Sequence, residues 1–153
     1  MDPLLTYTEH AKSALTLAQE EAQRSRQGSV DTEHVLVGLV REREGRAAKI
    51  LNNLGIEINT VRRTIESVAA RDRRNSIQRY LRTSRIKKVI DISFEEARRS
   101  GHDHVATEHL LLGLLVEGGG KAARVLNELG ATLERVRPEI ERRLPTDSEE
   151  PEP

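Results

Sequence analysis

A chain of 153 residues is long enough to bury one substantial core or two small fused ones. With 25 basic against 25 acidic residues the net charge is zero, which removes any bulk attraction to nucleic acid or membrane. The absence of cysteine excludes disulfides, thiolate metal sites and a cysteine nucleophile, and 2% aromatic content leaves Leu, Ile, Val and Ala to build the core.

The amino-terminal stretch MDPLLTYTEH lacks the basic-then-apolar order of a secretory signal. No apolar run approaches the roughly 20 residues that span a bilayer, so a soluble cytoplasmic protein is expected. Thr8 is placed to cap a first helix in which Ala11, Ala14, Leu15, Ala18 and Ala22 recur at helical spacing to about Ser25. After the loop RQGSVD, Thr32 is expected to cap a second helix with Val35, Leu36, Leu39 and Val40 on its inner side. Gly45 breaks the chain. A third helix then carries Ala48, Leu51 and Leu54 and ends at Gly55, a C′ glycine by position. The fourth presents Ile58, Val61, Ile65 and Val68.

From there the pattern starts again. At an offset of 75, residues 8–66 align without a gap on 83–141, and 26 of the 59 positions are identical. The matches include Thr8 with Thr83, Glu20-Glu21-Ala22 with Glu95-Glu96-Ala97, and Thr32-Glu33-His34 with Thr107-Glu108-His109. Gly38 falls on Gly113, Leu54-Gly55 on Leu129-Gly130, and Val61-Arg62 on Val136-Arg137. The second copy has its own apolar sets: Ile86, Val89, Ile90 and Phe94; Leu110, Leu111 and Leu114; Val125, Leu126 and Leu129; Leu133, Val136 and Ile140. No strand-type alternation occurs. The chain is thus expected to be all-α, with eight helices in two pseudo-symmetric four-helix repeats. Repeat one covers about 5–70, a basic join 71–82, and repeat two about 83–144, which together make one domain over 1–145. The segment 146–153, acidic and rich in proline, is expected to be disordered.

Some features resemble sites and lack the rest of the chemistry. The run from Arg71 to Lys88 has eight basic residues against one acidic, with Tyr80 alone among them as an aromatic, which reads as a solvated or docking surface and not a nucleic-acid site. Gly118-Gly119-Gly120-Lys121 has Leu115 and Ala122 where a phosphate loop needs glycine and a hydroxyl residue. His102, His104 and His109 suggest a metal, but the first copy has Gln27 and Ser29 opposite the first two, and no set of further ligands completes a shell. Neither HExxH nor GxSxG is present. No cofactor, metal or catalytic residue is expected, and the protein is not an enzyme.

The duplicated Thr-Glu-His remains. Structurally, Thr caps the helix, Glu in the first turn complements its dipole, and His satisfies a buried backbone group. Chemically, two neighbouring helix amino ends offer free amides to an anion, while a carboxylate beside them would repel it. A ligand with a planar cation as well as an anion resolves that conflict, and a phosphorylated guanidinium has both.

The motifs LAQEEA at 17–22, TEHVLVGLVREREGRAAKIL at 32–51, KKVIDISFEEAR at 87–98 and TEHLLLGLL at 107–115 followed by KAARVLNELG resemble the double amino-terminal repeat of the Clp (Hsp100) unfoldases, most closely the ClpC branch. The resemblance covers about residues 5–144. It implies an all-α pseudo-dimer that receives substrates and adaptors for an ATP-driven ring, and whose ClpC-type members bind phosphoarginine in each repeat. Carried over, it gives Thr8 with Glu33 as site one and Thr83 with Glu108 as site two, with Arg82, Arg85 and Lys87 as accessory basic residues. The glycine that precedes Thr-Glu-His in the family is Asp31 and Ala106 here. Asp31 puts negative charge beside site one, which favours site two. Expected partners are Clp unfoldase or protease components, adaptors or arginine-phosphorylated substrates. Nucleic acid and membrane are not expected, and the molecule is expected to be monomeric. If the chain is full-length, it is a stand-alone module without a motor. The alternative is a structural or regulatory scaffold or decoy with degenerate sites.

Overall fold

The structure, a computed structural model, describes residues 6–72 and 78–142, with the side chains of Asp72 and of residues 78–84 outside that set. Within those residues lie eight helices. Repeat one contains α1 (Glu9–Arg24), α2 (Thr32–Glu42), α3 (Arg46–Asn53) and α4 (Ile58–Asp72). Repeat two contains α5 (Gln78–Arg99), α6 (Thr107–Glu117), α7 (Lys121–Glu128) and α8 (Leu133–Glu141). The expected all-α repeat architecture is present.

Most boundaries follow from local chemistry. Thr8 caps α1, its Oγ1 accepting from the Ala11 amide at 3.1 Å. After α3, the Ile56 amide reaches the Leu51 carbonyl at 2.9 Å and the Gly55 amide reaches Asn52 at 2.9 Å, with Gly55 at φ 79°. That is the glycine-terminated cap expected from the sequence, and Leu126 to Ala131 repeat it around Gly130. Two starts differ from expectation. The N-cap of α2 is Asp31, whose Oδ1 accepts from the Thr32 amide at 2.7 Å, so Thr32 is the first helical residue and its hydroxyl is spent elsewhere. Helix α5 begins at Gln78, which puts Thr83 inside the helix and makes the carboxyl-terminal part of the basic join helical.

Within each repeat the first two helices approach closely, and glycine permits it. A Cβ on Gly38 would stand 2.2 Å from the Ala14 carbonyl oxygen of α1; one on Gly113 would stand 2.6 Å from the Val89 carbonyl oxygen of α5. The core on either side is Ala, Leu and Val: Ala14, Leu36, Leu39, Leu51 and Val61 in one half, Val89, Leu110, Leu114, Leu126 and Val136 in the other, none more than 1% exposed. A second brace ties the first helix of each repeat to the last. Arg62 of α4 grips Glu21 of α1 with two bonds of 2.9 and 3.0 Å, and Arg137 of α8 grips Glu96 of α5 at 3.0 and 3.3 Å.

One element has no counterpart in the sequence reading. Thr6–Tyr7 (β1) pairs in parallel with His104–Val105 (β2), in register Thr6 to His104 and Tyr7 to Val105, and the Thr8 amide continues the ladder to the Val105 carbonyl at 3.0 Å. Two residues are too few to show alternation. The pair nonetheless fixes the start of repeat one against the loop that enters α6 of repeat two.

Gly113→Ala should lower stability by about 1–3 kcal/mol, read from a shifted denaturation midpoint at unchanged slope. Hydrogen bonding to Arg62 is the main influence holding the Glu21 carboxyl below its ordinary 4.5, outweighing the opposing effect of burial, with help from the charges of Arg62, Arg41 and Arg24. Its contribution is therefore complete above pH 4.5 and lost as pH falls through the lowered value, a dependence Glu21→Gln should remove.

Candidate functional site

The second helices of the two repeats carry the duplicated motif, and their first turns bury polar side chains that a simple surface helix would expose. Thr32, Glu33 and His34 are 1%, 4% and 3% exposed; Thr107, Glu108 and His109 are 1%, 0% and 1%. The histidines behave as expected. His34 Nδ1 accepts from the Asp31 amide at 2.8 Å, and His109 Nδ1 from the Ala106 amide at 2.9 Å, each closing the helix start by reaching back from N3. His109 Nε2 also lies 2.8 Å from His102 Nδ1, so two of the three histidines that suggested a metal are joined by a hydrogen bond.

The threonines and glutamates act across the molecule. Helices α3 and α7 begin with glycine at the N-cap, Gly45 and Gly120, so no side chain of their own satisfies their first amides. The other repeat supplies one. Thr107 Oγ1 accepts from the Ala47 amide of α3 at 3.1 Å, and Thr32 Oγ1 from the Ala122 amide of α7 at 3.2 Å. The adjoining glutamate pairs with the first residue of the same helix. Arg46 Nη1 lies 3.2 Å from Glu108 Oε2, and Lys121 Nζ lies 3.4 Å from Glu33 Oε2. Each motif thus caps the partner repeat's third helix with its hydroxyl and holds that helix's first cation with its carboxylate.

The glycine run that lacks the residues of a phosphate loop has a role in this contact. A Cβ on Gly120 would stand 2.5 Å from Thr32 Oγ1, and one on Gly119 would stand 2.0 Å from the Arg85 guanidinium. At Gly120 the absence of a Cβ lets Thr32 lie against the entry to α7, while at Gly119 it leaves room for the flexible end of Arg85.

The two carboxylates differ in access. Glu108 is fully buried beneath Arg46, itself held at 5% side-chain exposure by a further bond to the Glu139 carbonyl at 3.1 Å. Lys121 over Glu33 is 16% exposed, against 5% for Arg46 over Glu108. Asp31 spends its carboxylate on the α2 cap. The cation that covers the carboxylate beside Asp31 is therefore the more exposed of the two.

The remaining expected residues divide. Thr8 is buried and tied through Val105 to the entry of α6, which places it beside the second motif, whereas Glu33 accepts a hydrogen bond from Lys121. Arg85 lies against Gly119 and pairs with Glu117 at 3.0 Å, and Lys87 is exposed. The side chains of Arg82 and Thr83 lie outside the described residues. His10 and Glu42 occupy the places that Arg85 and Glu117 hold in repeat two. With Glu44 they bring possible donor atoms within 4.8 Å, but the Arg85–Glu117 counterpart marks the His10–Glu42 contact as a structural brace. Sequence reading missed Arg46 and Lys121. Their signal was present: they stand 75 apart, both basic, each directly after a glycine.

Comparison with known proteins follows this geometry. The family described as the Clp repeat (R) N-terminal domain matches residues 6–82 and again 81–153. Over 134 residues the chain is 49% identical to the negative regulator of genetic competence ClpC/MecB of Bacillus subtilis and 46% to the chaperone protein ClpB of Oceanobacillus iheyensis. Each match takes in 88% of this chain and 16% of the relative. The chain thus spans about a sixth of the length of these relatives. Among solved structures, the N-terminal domain of the caseinolytic protease associated chaperone ClpD of Arabidopsis thaliana superposes with a TM-score of 0.69 at 29% identity, over 89% of this chain and 96% of that one.

Removing one member of the buried pair, as in Arg46→Met, should cost about 3–5 kcal/mol, and adding Glu108→Leu should recover much of it; equal and additive losses in a double-mutant cycle would deny the pairing. Burial is the main cause holding the His34 imidazole below its ordinary 6.5, against the opposing pull of Glu33 and Asp31. Below pH 6.5 the unfolded chain then binds a proton that the folded one resists. Stability should fall as pH drops from there toward the lowered value, with a slope up to about 1.4 kcal/mol per pH unit, and His34→Asn should flatten it.

Proposed function

The chain belongs to the Clp repeat N-terminal domain family, and from that premise we propose that it is a non-catalytic binding module of a Clp chaperone or protease system. In this reading it engages substrate or adaptor polypeptides, with phosphoarginine-marked proteins as the ligand class. The observation that carries it is the pair of carboxylates, Glu33 and Glu108, each buried beside the amino end of a helix and each already holding a cation. A carboxylate so placed grips a guanidinium, and the helix amino end beside it favours a phosphate.

The cross-repeat geometry refines the grouping. The Glu33 site combines Thr32, the start of α7 and Arg85. The Glu108 site combines Thr107, the start of α3 and Thr8 by way of Val105. Thr83 stays in the proposal as a phosphate ligand for the Glu108 site, with Arg82 and Lys87 as accessory basic residues. A guanidinium ligand would displace Lys121 from Glu33 more readily than Arg46 from Glu108, since Lys121 is the more exposed and forms the longer contact. Partners of this kind include Clp ring components and adaptors. The second reading, a structural or regulatory scaffold with degenerate sites, draws on the same pairs: cations of the chain's own occupy both carboxylates.

Titration calorimetry of the whole chain with phosphoarginine separates the two readings. Binding in the micromolar range is expected, with Glu33→Gln weakening it about tenfold or more and Lys121→Ala strengthening it. No heat, together with no competition against an arginine-phosphorylated protein, would remove the phosphoarginine version. Failure to capture any Clp component, adaptor or marked substrate from lysate would remove the wider one.

A further inference from the structure

Away from both carboxylate sites, the end of α2, the helix α3 and the start of α4 enclose a groove of about 730 Å³. Its floor is apolar, made by Val40, Ala48, Ile56 and Ile58, and its rim is basic. Two of the four cations facing it are already engaged: Arg62 and Arg41 both bond Glu21, at 2.9 and 3.0 Å. Arg43 and Lys49 are exposed, and among the described residues neither has an ion-pair partner. Glu57 is the one carboxylate in the lining. A chain of zero net charge thus concentrates uncompensated positive charge beside an apolar trough.

The second repeat supplies an internal comparison. Shifting by 75 residues puts Val116 at Arg41 and Gly118 at Arg43, so the same backbone surface there has lost two of its cations. Arg43 sits at φ 74° and ψ −33°, a region hostile to any side chain, whereas Gly118 holds φ 74° without penalty. Arg26 also has positive φ, at 57°, but as the ordinary left-handed residue that closes α1. Local folding alone would favour glycine at 43. A long cation held there against backbone strain, on the rim of a groove and next to an unpaired lysine, is the pattern of a residue kept for what its side chain meets.

We propose that this groove of repeat one docks an acidic peptide segment of a partner protein, with an apolar side chain on the Val40–Ile58 floor and carboxylates against Arg43 and Lys49. The apolar floor and the lack of any aromatic side chain in the lining favour a polypeptide over a nucleic acid, whose bases would stack on aromatic rings. The proposal is independent of the phosphoarginine reading, because none of these residues touches Glu33 or Glu108.

The experiment is fluorescence anisotropy of the full chain with a labelled synthetic peptide in which Glu and Asp alternate with Leu. Binding is expected. The charge-reversed variant R43E/K49E should weaken it about tenfold or more, as should raising NaCl from about 0.1 to about 0.5 M. Val116→Glu on the other repeat and saturating free phosphoarginine should leave it unchanged. Arg43→Gly should weaken binding while raising the thermal midpoint, a combination that a purely structural arginine would not give. The proposal fails if the wild-type chain does not bind, if R43E/K49E binds as well, or if the peptide with Gln and Asn in place of its acids binds equally. Tighter binding of an oligouridylate would make the groove a nucleic-acid site and overturn it. Neutralising Asp147, Glu149, Glu150 and Glu152 would overturn the partner in trans if it tightened the peptide about tenfold, since the chain's own acidic segment would then be the occupant. A dimer abolished by R43E/K49E would make the occupant a second copy and overturn it likewise.

Discussion

A short helix that begins with glycine has amides to satisfy and no side chain of its own to satisfy them. Both α3 and α7 have this problem, and each solves it with a threonine from the other repeat. That exchange is the constraint on which the arrangement of the repeats depends. Neither third helix has a complete start without the opposite second helix, so the two halves cannot separate without exposing a donor on one and an acceptor on the other. The glutamate next in sequence reinforces the contact with charge, since Glu33 and Glu108 each hold the cation of the first residue of the capped helix.

This explains why the motif reads as three residues while the rest of its helix reads as generic core. Thr, Glu and His divide three tasks among one turn: the hydroxyl caps across the interface, the carboxylate pairs across it, and the imidazole turns back to close its own helix. Leucine and valine behind them need only be apolar and of suitable volume, and they vary between the copies. The glycines follow the same logic. Gly38 and Gly113 remain identical because a backbone carbonyl fills the space of a Cβ, while Gly119, which meets only the end of a flexible arginine, has Glu44 opposite it.

What could be read from sequence was the periodic and the local. Helix number, the Gly55 and Gly130 caps, the Thr8 cap and the buried role of the histidines rest on interactions within a few residues, and periodicity or residue type reports them. What escaped was long-range. Thr32 looked like a cap for its own helix, and it caps one 90 residues away. Glu21 and Arg62 each recurred in register as Glu96 and Arg137, yet nothing in a linear comparison says that the two recurrences meet in space. Thr83 matches Thr8 in sequence but does not repeat its capping role, since it lies inside α5. The second repeat simply carries its first helix further toward the amino terminus, over a basic stretch that looked like a linker.

In the proposed function the residues that hold the repeats together also grip the guanidinium, which ties recognition to stability. A ligand that takes Glu33 must displace Lys121, which is one of the bonds across the interface. Its net affinity is therefore the difference between its own contact and the contact it breaks. Linkage makes the relation reciprocal: whatever loosens the α2–α7 contact strengthens the ligand, and the ligand loosens that contact by the same free energy. Glu108 and Arg46 set a higher barrier, being buried more deeply and anchored to Glu139 as well. The two proposed sites, built from one duplicated motif, thus differ in what they cost to open, and the difference lies in the residue that covers the carboxylate, a partly exposed lysine against a buried arginine, while the motif itself is the same in both.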